Sequence, residues 1–555
     1  MANQKEEFVF APLGGVGEIG MNLALYGYGT ERLKKWIVVD FGVSFGSEEQ
    51  PGVDLIMPDI AFAIEQKKNI AGIVLTHAHE DHFGALFDLW PRLQVPVYAT
   101  PFTAALIEAK RMSEPNAPEI KVITVPLKGK ITLGPFEVEF VNVAHSIPES
   151  NSLIIGTPLG KALHTGDWKL DPTPLIGVPT DEARLRALGD EGCIALIGDS
   201  TNAVREGRSP SETDVAKTLT ELVRSAPARV AVTTFASNIA RIKAVALAAK
   251  ACDREVVVVG RAMERLTQVA RETGYLDGVQ DFRPADAYGY LPPDKVVAIC
   301  TGSQGEPRAA LSRISQDDHP EVTFSKGDRV IFSSRSIPGN EKAIGRVING
   351  LITQGVEVIT DRTHLVHVSG HPRVAEMEDL YRWVRPRLAV PVHGEALHLH
   401  EHAKIARRCG TSDVITVANG DVVRLAPDPR KIDEIKAGRL YKDGRLIVEA
   451  TAPAVNDRRK LSVVGIVTVS LVIDDKGELL ADPEVDLIGI PERNARGESI
   501  EDIVYNAVVD TAENMPRARK RDPDALGESL RRAARAAVAQ DWGKKPVCIV
   551  HVLKA

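Results

Sequence analysis

The 555-residue chain lacks most of what marks secreted, membrane-spanning or globally basic proteins. Its five cysteines, Cys193, Cys252, Cys300, Cys409 and Cys548, are scattered and odd in number, and none forms a C-x-x-C pair. They read as reduced core residues in a reducing compartment, so a cytoplasmic protein is expected. The start, Met1-Ala-Asn-Gln-Lys-Glu-Glu7, has no charged and then apolar leader, and no secretory signal is expected from it. The longest apolar runs, such as Val256 to Val259, are far too short to cross a bilayer, and no membrane contact is expected. A net charge of −7 excludes a histone-like basic nucleic-acid binder. It leaves a nuclease open, because bound ions and a local groove of Arg and Lys can attract phosphate. There is no internal repeat and no low-complexity tract. At 44% hydrophobic and 26% charged residues, the composition is that of a soluble globular protein, and the length suggests about three or four domains.

What the chain does have is concentrated in six residues, His77-Ala78-His79-Glu80-Asp81-His82, directly after the apolar run Ala71 to Thr76. Three imidazoles and a carboxylate in so short a segment are costly to bury without partners. Imidazole nitrogen and carboxylate oxygen are also the ligand types that zinc and similar divalent ions take. At the mouth of a strand, His77 and His79 point one way, and Asp81 and His82 on the following turn can face a second ion. The alternative, a polar loop with exposed histidines, fits a lone histidine better than a full H-x-H-x-D-H array.

Two rhythms alternate along the chain. Residues 1–207 carry short β-type runs, such as Phe8 to Phe10, Trp36 to Val39, Val97 to Ala99, Val122 to Val125, Phe136 to Phe140 and Leu153 to Ile155. The glycine cluster from Gly14 to Gly20 is followed by another strand-like run and not by a helix, so it reads as a tight loop near the metal site and not as a dinucleotide fingerprint. Over 208–365, apolar strands alternate with amphipathic helices, beginning with a helix at Ser211 to Ser225 whose Ser-Glu-Thr-Asp start suits an N-terminal cap. This pattern indicates a parallel sheet covered on both faces. Histidines return at His367, His371 and His393, so 366–445 re-enters the first domain and the βα block is an insertion. Residues 446–462 are polar and read as a linker. The tail, 463–555, holds a strand-like Val463 to Val469, two helical stretches and a closing strand from Val547, a small α+β domain.

A two-ion site needs about seven protein ligands, and the opening motif supplies four. Rigid strand ends are where the rest belong. His145 closes the run Phe140 to Ala144, Asp167 follows Leu163-His-Thr-Gly, and His393 ends Leu388 to Val392. Each alone is weak, and the set completes the count. His398, His400 and His402 alternate within a helical stretch, which turns their rings to different faces, so they read as solvated. The basic run Arg517 to Arg521 reads as a solvated face.

These residues carry a resemblance. The chain resembles the metallo-β-lactamase superfamily, whose four-layer αββα sandwich holds two metals with an H-x-H-x-D-H loop. Asp199 in Gly198-Asp199-Ser200-Thr201, His371 in Ser369-Gly370-His371, and His393 in Val392-His393-Gly394-Glu395 match the three later motifs of its β-CASP nuclease branch. Within that branch the chain is most similar to the bacterial ribonuclease J family, on Phe235-Ala236-Ser237-Asn238, Pro338-Gly339-Asn340-Glu341 and a separate C-terminal domain. It departs at Ala78, where Gly is usual, at Pro372 after the Ser-Gly-His, and at Ala262, which replaces a more usual Ser. The implied fold is an α/β metallo-β-lactamase αββα sandwich with an inserted β-CASP parallel α/β domain and a small α+β C-terminal domain.

The resemblance further implies His77, His79 and His145 on one metal, Asp81, His82 and His393 on the other, and Asp167 bridging them. Asp40 would orient the His loop from behind, a plain turn Asp before Phe41-Gly42 being the alternative. The cofactors would be two divalent ions, zinc first, with manganese or magnesium as alternatives. The implied activity is hydrolysis of RNA phosphodiester bonds by a hydroxide that the two ions activate, 5′-to-3′ from 5′-monophosphate ends with some endonuclease capacity, in rRNA processing and mRNA decay. Asp81, His371 and Asp199 are the expected catalytic residues, His371 giving a proton to the leaving oxygen. His371 as a simple phosphate ligand is the alternative. Ser237, Asn238, Ser369, Gly370 and His371 would hold the RNA, although Ser and Asn at a helix start also serve as caps. Expected partners are RNA, a second copy or three more through the C-terminal domain, and other RNA-degradation proteins. A DNA-directed nuclease, a small-molecule metallohydrolase and a catalytically silent RNA-binding scaffold are the competing functions.

Overall fold

The computed structural model describes residues 5–337 and 339–555. Pro338 of the Pro338-to-Glu341 motif and the first four residues of the N-terminal reading lie outside the described residues. Two compact units are present, Met1–Ser44 with Met57–Arg439, and Phe45–Ile56 with Leu440–Ala555.

In the first unit two sheets face each other. One runs in the order Arg430–Glu434, Asp421–Ala426, Glu6–Gly14, Leu23–Thr30, Lys34–Val39, Ile70–Val74, Val97–Ala99, Val122–Thr124. The other runs Asp413–Val414, Leu388–Val392, Cys193–Asp199, Gly160–His164, Asn151–Thr157, Phe136–Asn142, Lys130–Leu133. Alternate residues of the strands point into the space between, so Phe8, Phe10, Tyr26, Ile37, Phe136, Phe140, Leu153 and Ile197 share one buried core. Helices Glu182–Glu191, Val374–Val384 and Ala396–Arg408 cover the outer face of the second sheet through Leu188, Met377, Leu380, Trp383 and Ile405. Two facing sheets with helices on the outer face of the second fit the layered sandwich expected from the sequence.

Within this unit the inserted block forms a sheet of five parallel strands, in the order Glu255–Val259, Val296–Cys300, Val230–Thr233, Arg329–Phe332, Glu357–Ile359. Near-continuous Val and Ile runs form these strands because helices bury both faces. The first helix, Glu212–Ser225, starts where the sequence places it. Ser211 Oγ accepts a hydrogen bond from Thr213 N, and the Asp214 carboxylate reaches back to Ser211 N. A buried ionic chain lies at the foot of this helix. Lys169 Nζ meets Asp171 at 3.0 Å, Asp171 accepts from Glu212 N and Ser211 Oγ, and Glu212 accepts from Arg241 Nη2 at 2.9 Å. Arg241 is fully buried, and its other terminal nitrogen donates to Ser333 O and to Val366 O.

The second unit departs from the sequence expectation. Residues 446–462 are not an irregular linker, since strand Leu446–Glu449 and helix Pro453–Val464 occupy them. Pro453 sits in the first helical turn, where the missing N–H costs nothing, so it starts the helix that its polar neighbours seemed to deny. Arg458 of that helix binds Asp443 and Pro51 O. Val463 and Val464 end this helix, Gly465 turns the chain at φ 63°, and the strand begins only at Ile466. The division at Leu440 also falls earlier than the sequence suggests, because Lys442 O accepts from Asp54 N and draws 45–56 into this unit. Strands Glu484–Ile488, Ile466–Ile473 and Val547–Lys554 form a sheet under helices Ile500–Asn514 and Pro523–Trp542, with Val469, Val504 and Leu530 in its core. Among the described residues, no helix is long and apolar enough to cross a membrane.

Removing one member of a buried ion pair leaves the other charge stranded. Arg241→Ala is therefore expected to lower the stability of the first unit by about 3–5 kcal/mol. Chemical denaturation followed by far-UV circular dichroism measures this, and a wild-type midpoint contradicts the role given to the pair.

Candidate metal centre

The strand ends of both sheets deliver the ligand residues to one place. Strand Lys34–Val39 ends at Asp40, Ile70–Val74 leads to His77 and His79, and Leu388–Val392 leads to His393. Asp199 is the last residue of Cys193–Asp199, and Asp167 follows Gly160–His164. His145 lies beyond Phe136–Asn142, where Ala144 and Lys169 form a bridge that ties its loop to that of Asp167. Asp81 and His82 lie on the short helix Glu80–Phe83, whose backbone approaches Gly42 closely. A Cβ on Gly42 would lie 1.7 Å from Asp81 O, so only glycine fits.

Asp167 divides the pocket. Its Oδ2 lies 3.7 Å from His77 Nε2 and 3.7 Å from His145 Nε2, and both of these rings approach His79 Nδ1 at 3.1 Å. Its Oδ1 lies 3.3 Å from His82 Nε2 and 3.4 Å from His393 Nε2, with Asp81 Oδ2 3.6 Å from the former. The seven residues therefore form two groups, His77, His79, His145, Asp167 and Asp81, His82, Asp167, His393. Ligand atoms about 2.1 Å from a tetrahedral ion stand about 3.4 Å apart, which matches these spacings.

Four of the imidazoles have their outward nitrogen occupied by an oxygen acceptor. His82 Nδ1 donates to Asp40 Oδ2 at 2.7 Å, His393 Nδ1 to Asn22 Oδ1 at 2.8 Å, and His145 Nδ1 to Gly370 O at 2.7 Å. His77 Nδ1 donates to Thr76 Oγ1 at 3.0 Å, and that hydroxyl donates onward to Asp40. In its neutral form each of these rings thus turns a lone pair inward, the state in which imidazole binds a metal. Lone pairs aimed at one another repel unless a cation lies between them. Consistent with this, the buried His393 Nε2 and Asp167 Oδ1 have no hydrogen-bond partner. The donor set fits divalent ions.

The electrostatics point the same way. Burial and the neighbouring rings hold His77 and His145 well below the ordinary imidazole range, and burial brings His79 down to about 4, so all three are neutral at pH 7. Burial also disfavours charge on His82, yet the carboxylates of Asp167, Asp81 and Asp40 outweigh it and push this imidazole well above its usual value. The pocket demands positive charge. Asp40 (φ 63°) and His393 (φ 52°) hold left-handed backbone that residues with side chains rarely adopt, fixed by Asp40 N to Val74 O and His393 N to Gly15 O.

Beside the pocket, His371 Nδ1 donates to Asp199 Oδ2 at 2.8 Å, and its ring stacks 5.5 Å from that of His393. The Ser369–His371 loop is tightly held. Ser369 Oγ accepts from Asn202 Nδ2, and a Cβ on Gly370 would lie 2.5 Å from the His145 ring. Ser237 and Asn238 lie at the C-terminal end of strand Val230–Thr233, where Asn238 Oδ1 caps helix Ile239–Ala251 by accepting from Arg241 N. Asn238 fills the capping role, and its amide nitrogen is what remains for a ligand. His367 stands outside both ligand groups.

Two readings of the sequence need correction. His402 is not solvated but buried, its ring bonded to Ser200 Oγ at 2.8 Å and Tyr381 Oη at 2.9 Å behind the Asp199 turn. A two-residue spacing on a helix turns rings to different faces, and His402 has the inner one. Asn22 was missed although it bonds both halves of the second group, with Nδ2 donating to Asp81 O. Its position at the end of the glycine loop was the available signal.

Family models match the chain as ribonuclease J, beta-CASP domain over 227–351, ribonuclease J C-terminal domain over 453–555, beta-lactamase superfamily domain over 35–185, and Zn-dependent metallo-hydrolase RNA specificity domain over 355–417. Ribonuclease J of Sinorhizobium meliloti is 53% identical over 552 residues, covering 99% of this chain and 98% of that one. The chain belongs to the ribonuclease J family. Ribonuclease J of Mycolicibacterium smegmatis is 38% identical, covering 98% of this chain and 96% of its own, and that of Helicobacter pylori 34%, covering 99% and 80%. A solved structure described as a protein of unknown function from Enterococcus faecalis shares the fold, with a TM-score of 0.52 at 15% identity over 75% of this chain and all of its own. Family membership places the chain among hydrolytic nucleases, and its His and Asp cluster among divalent-metal sites.

Because Asp40 and Asn22 fix the tautomers of His82 and His393, Asp40→Ala and Asn22→Ala are each expected to weaken metal binding about 10–100-fold with the fold intact. Competition with a chromogenic chelator reads the affinity, and wild-type affinity in both variants would refute the assignment.

Proposed function

We propose that the chain is a ribonuclease that hydrolyses RNA phosphodiester bonds with two divalent ions, zinc first, working 5′-to-3′ from 5′-monophosphate ends with some endonuclease capacity. The observation that carries this reading is the pair of ligand groups on either side of Asp167, with the His371–Asp199 pair beside them. Divalent ions in such a pocket supply an attacking oxygen at neutral pH and offset charge on the phosphate.

The protein's own residues do the rest. Asp199 accepts the Nδ1 proton of His371, which orients the ring and leaves Nε2 to face the substrate. As the bond from phosphorus to the 3′-oxygen breaks, Nε2 gives its proton to that oxygen. Burial lowers the His371 pKa, but the carboxylates of Asp199 and Asp167 outweigh it and push it up to about 9, so the donor is loaded at neutral pH. Ser237 and the side-chain amide nitrogen of Asn238, at the start of helix Ile239–Ala251, would meet a 5′-phosphate at the C-terminal edge of the parallel sheet, where open α/β sheets take their ligands. Self-association through the C-terminal unit and a cytoplasmic setting complete the reading; the five cysteines, all free, accord with the latter.

RNA labelled at either end and carrying a 5′-monophosphate or 5′-triphosphate tests the reading. Mononucleotide release from monophosphate ends, abolished by chelator, is expected; equal cleavage of both ends, or indifference to chelator, overturns it. A second measurement addresses the proton donor. Turnover is expected to fall as pH rises through about 9, since the donor is then spent. Asp199→Asn should move this descent to lower pH, and His371→Ala should remove it and lower kcat about 10²–10⁴-fold. A wild-type rate and profile in His371→Ala would exclude the assignment.

A further inference from the structure

Glu376, in the first turn of helix Val374–Val384, is fully buried. Its carboxylate accepts three backbone N–H bonds from three separate segments. Oε1 takes Leu170 N at 2.9 Å, while Oε2 takes Ser209 N at 2.8 Å and Arg373 N at 2.9 Å. Leu170 is three residues beyond Asp167, and Arg373 two residues beyond His371. Ser209 lies on the segment that leads from Asp199 into the inserted sheet. One side chain thus joins the loops of the dividing carboxylate and of the proton donor with the entry to the insertion.

Other bonds tie the same loops, but among the described residues only Glu376 bonds the Asp167 loop, the segment after His371 and the entry to the insertion through one side chain. The His371 loop is held to the first ligand group through His145 Nδ1 and Gly370 O, and to the Asp199 turn through Asn202 Nδ2, which donates to His371 O at 3.1 Å. Lys169 N donates to Ala144 O, so the Asp167 and His145 loops move together. We infer that Glu376 is a positioning residue that fixes His371 relative to Asp167. The inference rests on His371 being the proton donor. Glutamine cannot replace the carboxylate, because it offers one acceptor oxygen and turns an NH₂ donor toward an amide that is itself a donor. A displacement of about 1 Å at a reacting group costs about 10²-fold in rate.

The test is a double-mutant cycle of Glu376→Gln and His371→Ala, with kcat, KM and metal stoichiometry measured in each. Glu376→Gln is expected to lower kcat about 10–100-fold with KM within about threefold and metal content unchanged. In the His371→Ala background the same change should cost less than about twofold, because there is no donor left to misplace. A wild-type kcat for Glu376→Gln, or an equal loss in both backgrounds, overturns the inference while leaving the proton-donor reading intact. A wild-type kcat for His371→Ala overturns that reading and the inference with it. If Glu376→Gln does not fold, Glu376→Asp, which keeps both oxygens but draws them back by one methylene, is put through the same cycle with the same criteria.

Discussion

The two oxygens of Asp167 face opposite halves of the pocket, and everything nearby depends on that carboxylate staying where it is. Two imidazoles approach Oδ2 and two approach Oδ1, all between 3.3 and 3.7 Å. No water-exposed loop could hold four rings at such distances against their mutual repulsion. The arrangement requires strand ends from both sheets, packed on a shared core of Phe8, Phe10, Phe136 and Phe140, to meet at one edge. Burial of this aromatic and aliphatic core fixes the backbone to which the ligands are attached.

Rigid strands alone do not choose which ring nitrogen carries the proton. That choice falls to Asp40, Asn22, Thr76 and the carbonyl of Gly370, each an acceptor behind one imidazole. Asp40 serves two rings at once, His82 directly and His77 through the Thr76 hydroxyl. Its left-handed backbone is strained, and the strain persists because Thr76 N and Oγ1 both donate to its carboxylate. Geometry and protonation state are thus set by different residues.

How far the sequence disclosed this depends on the range of each interaction. The H-x-H-x-D-H array is local, and the apolar runs before His145, Asp167 and His393 mark strand ends, so the seven residues that meet around Asp167 could be gathered as candidates from pattern and count. The five-stranded insertion was likewise written in its alternation of Val-rich runs and amphipathic helices. Asn22 reaches His393 across 371 residues, and Glu376 reaches Leu170 across 206. The glycine loop before Asn22 marks a place near the site but names no partner, and the chain around Glu376 gives no signal at all. His402 was misread for a related reason: helical periodicity tells which residues share a face, but not which face meets the sheet. The helix at Pro453 was hidden because its burial is slight, only Val455 being buried, so its sequence carries no strong apolar stripe.

The insertion could have hung from the sandwich as a loosely tethered arm, since its entry and exit are single chain crossings. Buried polar groups hold both crossings. Near the entry, Glu376 binds Ser209 N, and Asp171 binds both Ser211 Oγ and Glu212 N. At the exit, Arg241 and Ser333 Oγ both donate to Val366 O, five residues before His371. Arg241 is in turn anchored by Glu212 at the foot of the first inserted helix. The segment that returns to the pocket is therefore stretched between a guanidinium belonging to the inserted sheet and a carboxylate belonging to the sandwich. Burying such groups is expensive in isolation, and apolar residues of similar size often hold a fold as well. Directional bonds to named backbone atoms give what apolar packing does not, a defined path for the segment that carries His371.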